Sequence, residues 1–151
     1  MAEYTYNAVQ TVAPQENVVL NNAIPCNRGY VLHRNESGIV TLRGIVNNPC
    51  GCFARYKVSF NGNIALAEGA TVAPIAVAIA IDGEEVQVSR AIVTPAAVGD
   101  YFNVTCVLTI DVPRGCCNSI SVENVAASVE TGYVTQPIDV QNATLSVSRI
   151  A

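Results

Sequence analysis

The sequence predicts an all-β protein, an antiparallel β-sandwich of the jelly-roll type with about 8–10 strands. Three features predict this fold class. Apolar and polar residues alternate with a period of two, branched Val, Ile and Thr are abundant, and turn-forming Gly, Pro or Asn recurs about every 8 to 12 residues. No stretch has the periodicity and capping residues of a long helix. The 151 residues fit one sandwich domain with a terminal arm.

The beginning of the chain predicts an extended N-terminal arm, residues 1–16, followed by a jelly-roll domain, residues 17–151. The arm alternates only weakly and holds too few apolar residues to bury a core alone. We expect it to lie along a neighbouring subunit or along its own sheet, and an arm of the first kind would be dispensable for folding. The candidate contact residues of the arm are Tyr4, Tyr6, Val9 and Val12.

The remaining chain is divided into short strands by turn signals. Asn61-Gly62 and Asp82-Gly83 are dipeptides typical of tight β-hairpins. Residues 126–141 are predicted to form a long loop and are the best candidate for contact with a partner. The predicted strands cover residues 18–21, 29–34, 39–46, 53–61, 72–81, 85–94, 101–112, 118–125 and 143–150.

The predicted strand at 72–81 has two unlike faces. Branched Ile and Val residues alternate with Ala76, Ala78 and Ala80, so the branched face is expected to fill the sandwich core. A row of alanines lets another layer approach closely. Two interpretations remain open: a covering loop of the same chain, or a tightly packed interface with another subunit, for which the three alanines are the candidate residues.

Six cysteines are the most specific feature of the composition. An even number permits a complete set of disulfides, whose connectivity the spacing does not determine. Strand parity places the Cys50/Cys52 loop, the Cys116/Cys117 loop and the turn with Cys26 at one end of the sandwich, whereas Cys106 lies within a strand and is expected to be buried. Disulfides within a subunit, disulfides between subunits and free thiols remain open. A Cys₄ zinc site fits this spacing poorly.

Charge is scarce, because only 13% of the residues are charged and the net charge is −4. A typical domain has about 25% charged residues. The acidic balance argues against nucleic acid and against an anionic membrane surface as partners. The longest apolar run is shorter than the ~20 residues of a membrane helix, and the first residues lack the basic and apolar regions of a signal peptide.

The sequence predicts no enzyme, no cofactor and no metal. His33 is the single histidine, and the chain has no nucleophile elbow, glycine-rich phosphate loop or zinc-protease motif. Asp82, Glu84 and Glu85 cluster near a predicted turn, but their spacing does not match a calcium loop. We therefore assign no catalytic, cofactor-binding or metal-ligating residue.

Several segments resemble a known superfamily. The final strand, Ala143-Thr-Leu-Ser-Val-Ser-Arg-Ile-Ala151, resembles the last strand of bacterial and phage jelly rolls that are similar to the tumour-necrosis-factor and complement globular heads. Gly38-Ile-Val-Thr-Leu-Arg-Gly44 resembles an early core strand of that group, residues 53–62 a strand that ends in an Asn-Gly turn, and residues 75–86 a central hairpin. The resemblance covers about residues 17–151. It implies a homotrimer that binds or stabilises a surface without catalysis.

The cysteine-rich loops and the polar arm are atypical of that superfamily and resemble small structural proteins of phages of gut Firmicutes. This resemblance implies a capsid decoration or head-fibre protein on the virion surface, assembled in the bacterial cytoplasm. Its partners would be its own copies and the major capsid protein or another particle-surface protein. Two alternatives remain: a disulfide-linked subunit of a spore-surface or appendage fibre, and a carbohydrate- or receptor-binding head that contacts surface glycans.

Overall fold

The computed structural model describes residues 1–24, 29–34, 36–129 and 132–151. Two antiparallel sheets pack face to face, which confirms the predicted all-β jelly-roll sandwich. In the described ranges the helical content is one 3₁₀ turn, Gln87–Ser89, and no helix there is long and apolar enough to span a membrane. The strands are β1 (Ala2–Tyr6), β2 (Gln10–Val12), β3 (Asn22–Ile24), β4 (Val31–His33), β5 (Val40–Arg43), β6 (Phe53–Leu66), β7 (Ile75–Ile81), β8 (Glu84–Glu85), β9 (Ala91–Val93), β10 (Phe102–Pro113), β11 (Cys117–Val125), β12 (Ala127–Val129), β13 (Gly132–Val134) and β14 (Ile138–Arg149).

The two sheets enclose one main core. Sheet I has the order β10-β6-β14-β1-β3, with β2 also paired to β14, and sheet II has the order β4-β5-β11-β7, with β8 and β9 both paired to β7. Each fully buried Val, Leu, Ile or Phe side chain contributes about 1.5–3 kcal/mol of transfer free energy. The buried hydroxyl of Tyr56 donates to the Arg43 carbonyl at 2.6 Å and so joins the two sheets. Large residues of this core include Tyr4, Tyr56, Phe60, Leu42, Ile79 and Leu145.

The tight turn predicted at Asn61-Gly62 is wrong, because β6 continues through it. This part of β6 pairs with β10 on one side, and β14 flanks it on the other. The register of β14 shifts opposite Gly62, where Asn142 has a φ of +53°. A Cβ at position 62 would lie 3.0 Å from the ring of Phe60. The glycine therefore provides space beside a β-bulge rather than the flexibility of a turn.

The second predicted tight turn, at Asp82-Gly83, is present between β7 and β8. Asp82 and Gly83 have φ values of +51° and +86°, as a hairpin with two left-handed central residues requires. The Asp82 carboxylate accepts hydrogen bonds from the Asn118 side chain at 2.9 Å and the Ser119 backbone N–H at 2.8 Å. This carboxylate therefore anchors the turn to β11.

Residues 1–16 are part of the sandwich and do not form a separate arm. Strand β1 lies between β14 and β3, and β2 pairs with β14. Of the predicted contact residues, Tyr4 and Val12 are each only 2% exposed, Tyr6 is half-buried, and Val9 is exposed. The chain then crosses to sheet II, where the Val18 N–H donates to the Val122 carbonyl at 2.8 Å. The sequence left open whether this segment lies along a neighbouring subunit or along its own sheet. It lies in its own sheet, so no domain boundary falls at residue 17.

We expect Tyr4→Ala to lower the free energy of unfolding by about 3 kcal/mol, because it removes a large side chain from the core. The control is Thr5→Ala, which changes the next residue of β1 on the outer face and should cost less than about 1 kcal/mol. Urea unfolding monitored by circular dichroism measures both values. Equal, small effects would mean that the first strand is not part of the cooperative fold.

Candidate functional site

Two neighbouring loops form what we call the thiol end of the sandwich, with the exposed cysteines Cys50, Cys52, Cys116 and Cys117. One loop connects β5 to β6 and the other connects β10 to β11. The backbone N–H of Arg114 donates to the Cys52 carbonyl at 2.9 Å, and the N–H of Gly44 donates to the Cys116 carbonyl at 2.8 Å. The structure thus brings together the two cysteine pairs that strand parity placed at one end. Cys26 lies outside the described residues.

Arg114 ties the two loops together through its side chain. Its guanidinium donates from one nitrogen toward the carbonyls of Asn48, Pro49 and Gly51, at 3.2, 3.0 and 3.4 Å. Gly44 permits a close backbone approach, since a Cβ there would lie 2.0 Å from the Pro113 carbonyl oxygen. The loops are therefore held by specific hydrogen bonds and close packing.

Of the alternatives that the sequence left open, a disulfide within a subunit is not present among the described cysteines. Cys50, Cys52, Cys106, Cys116 and Cys117 are all free thiols. The described residues also contain no group of three or more His, Cys, Asp or Glu side chains placed to hold a metal ion. A zinc site at the thiol end therefore has no support in this geometry.

Cys106 differs from the other four described cysteines. It lies on the inner face of β10, is 1% exposed, and its thiol is 3.7 Å from the carbonyl oxygen of Val77. Burial raises the pKa of this thiol to about 11, because the charged thiolate is poorly solvated there. At neutral pH Cys106 is a protonated core residue with little nucleophilic reactivity.

The alanine row of β7 is buried within the chain and is not a subunit interface. Ala76, Ala78 and Ala80 are each 0% exposed. Ala76 and Ala78 pack with Val125 of β11 and Ala127 of β12 in a second, small apolar cluster. Residues of the same chain therefore pack closely against these small side chains. This agrees with the first of the two interpretations, in which the chain itself covers the alanine row.

The outer face of sheet I presents a surface that we call the amide face. The side chain of Asn103 donates to the side-chain oxygens of Asn61 and Asn63 at 2.9 and 3.1 Å, and Asn61 donates to the Thr105 hydroxyl at 3.2 Å. Sequence reasoning missed this face, although its residues occupy the alternate polar positions of three strands. The residues of the amide face are Ser59, Asn61 and Asn63 of β6, Asn103 and Thr105 of β10, and Thr144 and Ser146 of β14.

One ion pair lies between the amide face and the thiol end. Arg55 and Asp111 are opposite each other on β6 and β10, with Nε 2.7 Å from the carboxylate, and both side chains are 41% exposed. The hydrogen bond from Arg55 lowers the pKa of the Asp111 carboxyl. Solvent screens such an exposed pair, so it adds little stability and mainly aligns the two strand ends.

An acidic hollow of about 400 Å³ lies on the other side of the molecule and includes Glu85 and Glu123 in its lining. Glu85 pairs with Arg90 at 2.6 Å, while its second carboxylate oxygen is buried without a hydrogen-bond partner. Burial, and secondarily the charge of Glu85, raise the pKa of the Glu123 carboxyl. The hollow therefore disfavours ionised Glu123.

His33 contacts a backbone carbonyl and an aromatic ring. Its Nε2 lies 2.8 Å from the backbone carbonyl of Ser37, and its ring is 4.5 Å from that of Tyr4. Because a carbonyl oxygen only accepts, Nε2 is the donor in this contact. Among the contacts that the described residues provide, none is to a carboxylate or a nucleophile, so the arrangement for acid–base catalysis is lacking there.

Comparisons with known proteins support the fold. No protein-family model and no curated protein matches the chain. The globular domain of zebrafish complement 1qA protein is similar in structure, with a TM-score of 0.57, 9% identity and coverage of 99% of this chain and 97% of that chain. This likeness agrees with the predicted resemblance to complement-type jelly rolls and concerns the fold alone.

Two carbohydrate-binding domains have weaker similarity. The C-terminal domain of the sugar-binding protein EclA has a TM-score of 0.42 and 15% identity, and the match covers 95% of this chain and 79% of that chain. The CBM22-1 xylan-binding domain of Xyn10C from Paenibacillus barcinonensis has a TM-score of 0.35 and 11% identity, with 96% and 97% of the two chains covered. Similarity at this level supports no inference about this chain.

We expect Glu123→Gln to stabilise the protein at pH 7. A carboxyl whose pKa is raised on folding favours the folded state below its ordinary pKa of 4.5, and that contribution is lost as the pH rises through the folded pKa. The increase in the free energy of unfolding that the neutral amide gives should therefore be clear at pH 7 and should disappear near pH 3.5. Urea unfolding at both pH values measures it, with the exposed Glu84→Gln as control. Destabilisation at pH 7 would contradict the prediction.

Proposed function

We propose that the protein is a non-enzymatic structural protein of a particle surface, a phage capsid decoration or head-fibre protein that stabilises or ornaments the virion. In this proposal it is assembled in the bacterial cytoplasm as a homotrimer. Its further partner is the major capsid protein or another particle-surface protein. The jelly-roll sandwich, a fold suited to a structural or binding head, is compatible with this role.

The amide face is the observation that carries the proposal. It spans three adjacent strands, and its side chains are uncharged, with three of them exposed and four half-buried. Charged residues are depleted in the cores of protein interfaces, because burying an unpaired charge is costly. A flat face of hydroxyl and amide groups can approach a protein surface closely and exchange its water contacts for hydrogen bonds. We therefore assign subunit association to this face.

The position of the N-terminal segment changes how attachment to a particle must occur. Tyr4 and Val12 are committed to the sandwich core and are not available to a partner. Attachment therefore depends on surfaces of the folded domain, among which the amide face and the thiol end are the candidates.

Ser146→Arg tests the association. Ser146 lies opposite Ser59 in the amide face, so an arginine there would place three like charges at a three-fold interface. We expect light scattering after size-exclusion chromatography to give the mass of three chains for the wild type and of one chain for the variant. Thr41→Arg, on the outer face of sheet II, should remain trimeric. A trimer that survives Ser146→Arg would exclude this face as the interface.

The particle assignment requires a separate experiment. Mass spectrometry of purified virions, with spores and appendages from the same culture as comparison, should find the chain as a stoichiometric component of the virions. Recombinant protein should also co-sediment with particles that lack it. Recovery only with spores or fibres would reject the capsid role in favour of the fibre alternative.

A glycan-binding head is a second candidate, favoured by one exposed aromatic residue. The segment predicted as a loop contains the short hairpin of β12 and β13, where Tyr133 is 74% exposed. Aromatic rings that face solvent are common stacking surfaces for ligands. Tyr133→Ala should abolish glycan-array signals, whereas Ser128→Ala, its cross-strand neighbour, should retain them. A blank array with the wild type would remove this candidate.

A further inference from the structure

The four cysteines of the thiol end are unusual because they face solvent. Cysteine is among the residue types that are most often fully buried, and Cys106 follows that rule. Cys50, Cys52, Cys116 and Cys117 are exposed and form no disulfide with one another. Four accessible thiols on two adjacent loops form a surface open to oxidation, and none of them forms a disulfide with a described residue of the same chain.

The two loops present these thiols in defined positions. Cys117 is the first residue of β11 and lies opposite Arg43 of β5, so its position is set by sheet II. The backbone N–H of Cys50 donates to the side chain of Asn48 at 3.0 Å, and the Arg114 guanidinium reaches the same loop. Strand pairing and hydrogen bonds therefore hold these cysteines in place at one end of the sandwich.

The thiol end lies at the end of two strands that also carry much of the amide face, and the outer positions of Lys57 and of the Arg55–Asp111 pair lie between the two surfaces. Strand β6 begins one residue after Cys52, and β10 ends at Pro113, shortly before Cys116. The outer positions of these same two strands form much of the amide face. In copies that associate through the amide face, β6 and β10 would therefore lead from the contact to the thiol ends.

We propose that the thiol end is a covalent junction between copies of this chain, in which Cys50 and Cys52 of one copy form disulfides with Cys116 and Cys117 of another. The partner is a second copy of the chain, because every copy carries both pairs of cysteines and the number of thiols is even. This inference rests on the self-association proposed above and specifies the chemistry that completes it.

The oxidation can be written with oxidised glutathione as the oxidant. A thiolate of one copy attacks the glutathione disulfide, forms a mixed disulfide and releases one glutathione thiolate. A thiolate of the second copy then attacks the protein sulfur of the mixed disulfide and releases the second glutathione. Two protein thiols lose two protons and two electrons, and one glutathione disulfide is reduced to two thiols. Accessible thiols can undergo this exchange, whereas the buried Cys106 cannot.

The experiment uses the full chain with Cys26→Ser, so that the cysteine outside the described residues does not enter the result. Incubation with oxidised glutathione should give covalent oligomers on a non-reducing gel, and dithiothreitol should reverse them. Cys106→Ala should leave the pattern unchanged. The variants C50S/C52S and C116S/C117S should each run as a monomer on the non-reducing gel when oxidised alone, and they should form covalent dimers when they are mixed.

Several results would overturn the inference. Cross-linking of C50S/C52S alone would show that the Cys116/Cys117 loops pair with each other. A monomer lighter by the hydrogens lost on oxidation would show disulfides within the chain. Monomers with all thiols still open to alkylation would show that no junction forms.

A variant with serine at all four positions separates this inference from the proposed function. Light scattering should show that it retains the trimer of the reduced protein while losing every covalent oligomer. A wild-type trimer that never cross-links would reject the junction and leave the proposed function intact. A protein that stays monomeric but cross-links on oxidation would instead support the junction and reject the amide-face trimer.

Discussion

The pairing of β6 with β10 on one side and β14 on the other is the constraint on which the rest of the structure depends. This strand runs from Phe53 to Leu66 and is flanked by β10 and β14 along most of its length. At its beginning it fixes the Cys52 loop beside Arg114, and along its outer face it aligns the polar side chains of three strands. Gly62 makes this possible, because a side chain there would crowd the core beside the bulge of β14. Both candidate surfaces therefore depend on one strand.

Patterns within a short sequence window correctly predicted the elements that depend mainly on residues close by in the sequence. The period of two located β7, β10 and β11 closely, and strand parity brought the two cysteine loops to one end. The prediction of a turn at Asn61-Gly62 was wrong because this dipeptide occurs both where the chain reverses and where a strand lies beside a bulge. The bulge is on β14, far away in the sequence. The N-terminal segment was misjudged for the same reason: β1 is stabilised by the last strand of the chain, and pairing between chain ends is not visible in a short window.

The alanine row shows a second limit of sequence reasoning. Small side chains at alternate positions of β7 indicate that something approaches closely, but they do not identify it, and here Val125 and Ala127 of the same chain pack against that row. The scarcity of charge therefore needs another explanation than a buried interface on sheet II. The amide face provides one, because asparagine, serine and threonine occupy positions where most proteins place lysine or glutamate.

The amide face and the thiol end complement each other energetically. A hydrogen bond that replaces contacts with water contributes only about 0.5–1.5 kcal/mol, so an uncharged polar face gives an association that weakens on dilution. Disulfides do not weaken on dilution, but four exposed thiols without a defined contact would join copies in arbitrary orders. In the proposed assembly the face sets the register of the copies, and the disulfides of the thiol end make that register permanent. Arg114 is important to the thiol end because it holds the cysteine loop against the end of β10.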